Sequence, residues 1–137
     1  MKTAGFIITD GSSTVRTKMQ TETMVSVSQD EFKREVSSGS QPLVVDFYAD
    51  WCPPCKIVAP ILENLSNEFA GKVRFVKVNV DDNPELTSDF GIMSIPTVMF
   101  FGRGKVQDAV IGAVPALTYR KKIEEALRST EEEKQGR

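Results

Sequence analysis

The stretch "VVDFYADWCPPCKIVAP", Val44 to Pro60, decides the fold and carries the chemistry of the chain. It contains the only two cysteines, Cys52 and Cys55, which are separated by two prolines. The apolar run Leu43–Tyr48 before them predicts a buried central strand, interrupted only by Asp46. Apolar residues after the cysteines recur at helical spacing. The stretch therefore predicts a strand, a short loop that carries both thiols, and a helix.

Strand and helix patterns alternate on both sides of this stretch. On the N-terminal side, a short strand over 24–27 precedes a capping box, Ser28-x-x-Glu31, which starts a helix. On the C-terminal side, a strand over 73–80 and a short helix from Pro84 lead to a hairpin over 97–111 and a final helix over 115–127. The order β-α-β-α-β-α-β-β-α predicts an α/β fold. We expect a mixed sheet of about five strands with about four helices on both faces.

The composition excludes several classes of function. The 137 residues suffice for one domain, and a formal net charge of -2 gives no electrostatic footprint for nucleic acid or anionic lipid. No apolar run reaches the roughly 20 residues of a membrane helix. The chain has no histidine, which excludes Ser-His-Asp catalysis, Cys-His catalysis and histidine-ligated zinc.

The ends of the chain differ in composition from its middle. Residues 1–22 are rich in Ser and Thr and are expected to form a flexible N-terminal extension, residues 23–129 the domain, and residues 130–137 a charged disordered tail. Because the extension has no signal-peptide core, we expect a cytoplasmic location. Organellar targeting by residues 1–22 is an alternative that the sequence leaves open.

The cysteine pair has three interpretations. A structural disulfide across so short a loop would stabilise the fold weakly. A zinc site needs about four ligands, so it would require two chains, each giving both cysteines. A redox pair needs only two thiols at the start of a helix, where the dipole and backbone N–H groups lower a thiol pKa. The pattern favours the redox interpretation.

Over residues 24–128 the chain resembles the thioredoxin family, through the segments "VVDFYADWCPPCKIVAP", "VKVNVDDNP", "GIMSIPT" and "IGA". The resemblance implies a thioredoxin fold and a dithiol–disulfide oxidoreductase that reduces disulfides in protein substrates. One departure is Pro53, which stands where the family usually has glycine, so the redox potential stays open. No histidine stands at Pro54, as in oxidising members, so we expect the reducing end of the family's range.

The resemblance also implies residue roles. Cys52 is expected to be the nucleophile and the more exposed cysteine, and Cys55 the resolving thiol. A carboxyl group at Asp46 is costly to bury and should have a raised pKa, and the family's matching acid shuttles the proton of the resolving thiol. Lys77 matches a lysine near that acid. Tyr48 stands where many family members have tryptophan, and we interpret it as a packing residue.

A docking surface for an extended substrate segment is implied around the cysteines. Ile95-Pro96 matches the cis-proline loop of the family. The other members expected there are Trp51, Pro53, Pro54, Val80, Ile111, Gly112 and Ala113.

The expected partners are disulfide-containing proteins and a thioredoxin reductase. No cofactor is expected besides the redox-active cysteine pair, because the chain shows no Gly-rich phosphate loop. No metal is expected. A monomer is expected. The alternatives are a protein-disulfide oxidase or isomerase, and a binding or chaperone subunit whose thiols are incidental.

Overall fold

Between residues 24 and 135 the structure contains nine helices and strands, in the order that the sequence predicts. A computed structural model describes residues 24–135, with side chains over 24–131. The expected extension over residues 1–22 lies outside the described residues. The elements are β1 (Val25–Ser26), α1 (Gln29–Ser38), β2 (Leu43–Tyr48), α2 (Pro53–Glu68), β3 (Arg74–Asn79), α3 (Pro84–Asp89), β4 (Thr97–Gly102), β5 (Lys105–Ile111) and α4 (Ala116–Gln135).

The capping box at the start of α1 forms as the sequence predicts. The backbone N–H of Glu31 donates to the Ser28 hydroxyl at 3.3 Å, and the Ser28 N–H donates to the Glu31 carboxylate at 2.8 Å. These hydrogen bonds hold the pKa of Glu31 below its usual range. Gly39, with a φ of 57°, ends the helix in the left-handed region that glycine adopts without strain.

The five strands form one mixed sheet in the order β1-β3-β2-β4-β5. Strands β1, β3 and β2 run parallel, while β4 is antiparallel to β2 and to β5. The two-residue turn Arg103-Gly104 joins β4 to β5, and both residues have positive φ, as a primed hairpin turn requires. Strand β2 lies at the centre, so the loop that follows it opens at the middle of one sheet edge.

Helices cover both faces of the sheet, which confirms the predicted α/β architecture. On one face, Val44 of β2 packs in a cluster with Val58 and Leu62 of α2 and Tyr119 of α4. On the other face, Val45 and Phe47 pack with side chains from α1 and α3, including Phe32 and Leu86. Because side chains alternate along a strand, Asp46 shares the face of Val44 and lies under α2.

The last helix extends further than the sequence predicted. Helix α4 reaches Gln135, so residues 130–135 are helical, and the expected disordered tail over residues 130–137 is wrong for this part. The physical reason is local. The segment "TEEEKQ" is rich in strong helix formers, no Gly or Pro interrupts it, and Thr130 is buried.

Candidate active site

The two cysteines form a disulfide at the N-terminus of α2. Cys52 is the N-cap residue, and its Sγ accepts a hydrogen bond from the backbone N–H of Cys55 at 3.2 Å. Pro53 and Pro54 occupy the first two helical positions and carry no N–H. Cys52 Sγ therefore sits at the positive end of the helix dipole, and of the first three helical residues only Cys55 can donate to it.

The expectation that Cys52 is the more exposed cysteine is wrong for this disulfide form. The two residues are 3% and 4% exposed, respectively. Ile95 and Val80 pack against the buried cluster that Ala49 forms with the two cysteines, and Cys52 Sγ lies 3.8 Å from the Ile95 carbonyl oxygen. Exposure therefore does not distinguish the two sulfurs in this form, whereas their positions at the helix terminus do, because only Cys52 is the N-cap residue.

Asp46 is a buried acid, as its neighbours in the sequence predict. It is 2% exposed, and no donor among the described residues reaches its Oδ1 atom. Burial raises the pKa of Asp46 to about 7, and the positive charge of Lys77, its neighbour on β3, offsets part of that rise. A group with this pKa can accept and release a proton near neutral pH.

A small cleft connects this acid to Cys55. It has a volume of about 150 Å³, and Asp46, Lys77 and Cys55 all line it, together with Tyr48, Asp50 and Lys56. A space of this size can hold ordered water. The structure therefore brings together three of the four residues expected to be catalytic, and the fourth, Cys52, is bonded to Cys55.

The expected docking residues surround the disulfide in two groups. The exposed group consists of Trp51, Pro53, Pro54, Ile111 and Ala113, while Val80, Ile95 and Gly112 are half-buried. The Ile95–Pro96 peptide bond is cis, as the motif implied. Pro96 itself is buried, and its carbonyl accepts a hydrogen bond from the Gly112 N–H at 2.8 Å. This bond places the end of β5 beside the Ile95 loop.

Comparison with known proteins agrees with this geometry. Residues 23–125 match the family model described as thioredoxin. The chain is 45% identical over 101 residues to thioredoxin 1 of Nostoc sp., an alignment that covers 74% of this chain and 94% of the relative. It is 46% identical over 104 residues to the chloroplastic M-type thioredoxin of Pisum sativum, an alignment that covers 75% of this chain and 60% of the relative. It is also 46% identical over 87 residues to thioredoxin of Rickettsia felis, covering 64% and 83%.

The chain belongs to the thioredoxin family. It is a thiol–disulfide oxidoreductase of the protein-disulfide reductase type, and its redox-active pair is Cys52–Cys55. Within the described side chains, no group of three or more acidic, cysteine or histidine residues is placed to hold a metal ion. None of the helices over residues 24–135 is long and apolar enough to cross a membrane.

Sequence reasoning did not single out Asp81 or Met93 in this thioredoxin-family site, nor the contact between Lys77 and Tyr48. Asp81 accepts a hydrogen bond from the Trp51 indole N–H at 2.8 Å, across 30 residues of sequence. Met93, in the segment before the cis-proline, is 94% exposed. The Lys77 ammonium lies 5.2 Å from the ring centroid of Tyr48, which is more than a packing contact. These residues all lie inside the quoted motifs, but the contacts of Asp81 with Trp51 and of Lys77 with Tyr48 are not encoded in local spacing.

Proposed function

We propose that Cys52 is the nucleophile and Cys55 the resolving thiol of this oxidoreductase. The observation that carries the assignment is the hydrogen bond from the Cys55 N–H to Cys52 Sγ at the start of α2. In the reduced protein the same donor and the helix dipole stabilise a thiolate on Cys52 and lower its pKa. Cys55 lies one turn further in, beside the Asp46 cleft.

The reaction consists of two thiol–disulfide exchanges. The Cys52 thiolate attacks one sulfur of a substrate disulfide and bonds to it, while the other substrate sulfur leaves as a thiolate and takes up a proton. The Cys55 thiolate then attacks Cys52 Sγ, forms the Cys52–Cys55 disulfide and releases the second substrate sulfur. Two electrons pass from the protein dithiol to the substrate.

Asp46 acts as the base of the second exchange. Cys55 must lose its proton before it attacks, and Asp46 lines the same cleft with a pKa near the working pH. Water in the cleft carries the proton from Cys55 to Asp46. Lys77 faces the same cleft and lowers the cost of the ionised carboxylate.

The surface around the disulfide binds an extended segment of the substrate protein. The Trp51 indole and the Ile111 side chain supply apolar area, being 66% and 67% exposed. The Ile95 backbone lies beside Cys52 and pairs with the main chain of the substrate. Gly112, with a φ of 88°, carries no side chain to block that approach.

A reductase partner, which we propose to be a thioredoxin reductase, returns two electrons to the disulfide after each turnover. The chain acts as a monomer without a resident cofactor, because the cysteine pair itself carries the electrons. A cytoplasmic location is our proposal. The chloroplastic relative from Pisum sativum supports the organellar alternative, in which residues 1–22 direct import.

Single-cysteine variants test the assignment of the two thiols. Cys55→Ser should attack a disulfide substrate and then stall, so that a covalent mixed disulfide accumulates and dithiothreitol removes it. Cys52→Ser should trap almost none, because the remaining thiol is recessed and less ionised at pH 7. Mass spectrometry of the trapped species measures both. Equal trapping by the two variants, or faster iodoacetamide labelling of Cys55 than of Cys52 in the reduced protein, would contradict the assignment.

A further inference from the structure

The Tyr48 ring lies close to Asp46 and Lys77, and the mechanism above does not use it. Ser26 of β1, Lys77 of β3 and Asp46 of β2 are register partners across three parallel strands. Partners in register share one face of the sheet, so the three side chains lie on the Asp46 side. Tyr48 is two residues after Asp46 on the same strand and therefore points to that side as well.

Tyr48 reaches diagonally across the row. Its hydroxyl lies 3.2 Å from Ser26 Oγ on β1, while its side chain originates on β2. Strand β3, which carries Lys77, runs between these two strands. The ring thus spans the strand of Lys77, and the Lys77 ammonium lies 5.2 Å from the ring centroid, within cation–π range.

Among the described residues, the Tyr48 ring has a packing contact and a hydroxyl contact, and the Lys77 ammonium lies against the ring. Tyr48 packs against the buried group formed by Ala49 and the two cysteines, and its hydroxyl is tied to Ser26. Lys77 is half-buried and makes no ion pair with Asp46, whose Oδ1 has no partner among the described residues. The electrostatic influence of Lys77 on Asp46 is therefore exerted across the cleft that both residues line.

We propose that Tyr48 is a positioning residue for the resolving step, which holds the Lys77 ammonium at the Asp46 cleft by a cation–π contact. The inference rests on the proposed role of Asp46 as the base for Cys55. Without the ring, the ammonium would move towards water, because it is strongly hydrated and no second partner among the described residues holds it there. Asp46 would then lose the positive charge that partly offsets the cost of its ionised form.

The other groups around Asp46 leave this effect distinguishable. Cys55 and Lys56 face it from α2, Asp50 from the loop after β2, and Tyr119 from α4, while its β4 partner Val98 is apolar. Lys56 is exposed and screened by water, whereas Lys77 is half-buried. Removal of the Lys77 contact should therefore dominate any change in the titration of Asp46.

The test is a double-mutant cycle on Tyr48 and Lys77. In the disulfide form of each variant, the ¹³C chemical shift of the Asp46 carboxyl group is followed by NMR as a function of pH. Tyr48→Leu keeps an apolar cover but removes the ring, and should raise the midpoint of the Asp46 titration by roughly half a unit. Lys77→Met should raise it further. Tyr48→Leu added to Lys77→Met should cause no additional shift, because the ring would have nothing left to hold.

Two controls separate the ring from the hydroxyl group and from the volume of the side chain. Tyr48→Phe and Tyr48→Trp keep a ring and should leave the midpoint unchanged. Tyr48→Met, a second ring-free variant, should reproduce the shift of Tyr48→Leu. If Tyr48→Phe shifted as much as Tyr48→Leu, the bond to Ser26 would be the cause. If Tyr48→Leu caused the same shift in the Lys77→Met background, the ring would act by shielding Asp46 from water and not through Lys77. Either outcome overturns the proposal, as would no shift or a downward one.

A kinetic readout ties the shift to the chemistry. With a preformed mixed disulfide on Cys52, the rate of resolution by Cys55 in Tyr48→Leu should fall about two- to threefold at pH 6.5 and match wild type above pH 8.5. A titration shift without this rate change would overturn the link to the resolving step. Absence of any mixed-disulfide chemistry would instead count against the proposed function, while the titration would still judge the contact.

Discussion

Asp46 and Phe47 are neighbours on β2, but they point to opposite sides of the sheet, and the two sides are built differently. The Phe47 side is packed with aromatic rings, in which Phe32, Phe90 and Phe101 meet edge-on at centroid distances of 5.4 to 5.8 Å. The Asp46 side is also apolar near its middle, yet it buries a carboxyl group whose Oδ1 atom has no hydrogen-bond partner among the described residues. The Phe47 side is built only for stability, whereas the Asp46 side includes an acid whose burial opposes folding and for which we propose a role in proton transfer.

The difference shows where folding and function conflict in this chain. Edge-to-face ring pairs add to the free energy of burial, so the Phe47 side stabilises the sheet without further requirement. Burying the ionised form of an acid opposes folding, and the positive charge of Lys77 offsets only part of that cost. The comparison is supported if changes on the Phe47 side lower the stability and keep the rate, while changes on the Asp46 side raise the stability and lower the rate.

Phe47→Ala should have the largest effect on stability. Phe47 is fully buried, and its ring centroid lies 6.2 Å from that of Phe90. Its removal should lower the free energy of unfolding by about 3–5 kcal/mol. Urea denaturation with the Cys52–Cys55 disulfide intact measures this loss. The rate of insulin-type disulfide reduction per folded molecule should stay near that of wild type, because the ring faces away from the cleft.

The milder variant Phe47→Leu controls for failure to fold. It should lose less stability than Phe47→Ala and also keep the rate. A rate that fell in proportion to stability in both variants would break the comparison, since the Phe47 side would then contribute to the chemistry.

Asp46→Asn should have the opposite effect, with somewhat smaller magnitude. Burial raises the folded pKa of Asp46 to about 7, above its unfolded value. The favourable contribution of the protonated acid therefore holds at low pH and is lost as the pH rises through the folded pKa. The substitution should stabilise the protein by about 2–4 kcal/mol at pH 8 and by less at pH 5.

Denaturation midpoints of both proteins at pH 5 and pH 8 measure this difference, and single-turnover kinetics measure the accompanying slowing of the Cys55 step. A stabilisation that did not change with pH would mean that Asp46 titrates alike in the folded and unfolded chain. That result would remove the conflict between the two sides.

Much of the fold was predictable from the sequence because its signals are local. The apolar run Leu43–Tyr48, the capping box at Ser28 and the turn Arg103-Gly104 each specify backbone geometry within a few residues. The raised pKa of Asp46 was predictable for the same reason, since a lone acid in such a run must be buried with its strand. The motifs also indicated which residues surround the disulfide.

Most of the remaining features depend on contacts between distant segments. The Trp51–Asp81 hydrogen bond and the cation–π contact of Tyr48 join different loops and strands, so spacing along the chain does not reveal them. The extent of α4 was missed because a charged terminal segment looks alike whether it is helical or disordered. The near-equal exposure of the two cysteines depends on how the Ile95 loop covers Cys52.

Pro54→Ala extends the comparison to the start of α2, on the Asp46 side of the sheet. Its effect, on the redox potential, should be of intermediate size. An N-cap side chain accepts from the second or third helical N–H, and Pro54 removes the second. Alanine restores that donor, which should lower the pKa of Cys52 in the reduced protein. Because a more stable thiolate favours the dithiol form, the reduction potential should become less negative by roughly 10–30 mV.

Equilibration with glutathione buffers at pH 7 measures the potential of Pro54→Ala. Pro53→Ala is the matched control, because the first helical N–H does not point at the N-cap side chain. It should change the potential less than Pro54→Ala does. Equal shifts in the two variants would mean that loop flexibility, rather than a hydrogen bond to Cys52 Sγ, sets the potential.

Asp81→Ala should have the smallest effect, at the surface that we propose to bind substrates. The Asp81 carboxylate accepts from the Trp51 indole at 2.8 Å, and its own backbone N–H donates to the Asn79 side chain at 2.9 Å, which fixes the loop. Loss of one exposed hydrogen bond should raise the KM for a protein disulfide about two- to fivefold and leave kcat nearly unchanged.

The control and the readout for this last variant come from the chain itself. Asp82→Ala removes the same charge from the neighbouring exposed residue without touching the indole, so it should leave KM near the wild-type value. Trp51 is the only tryptophan, so fluorescence anisotropy reports the mobility of the docking indole directly. Anisotropy should fall in Asp81→Ala alone. An equal rise of KM in both variants would assign the effect to charge near the disulfide, and the indole would then need no anchor to bind substrate.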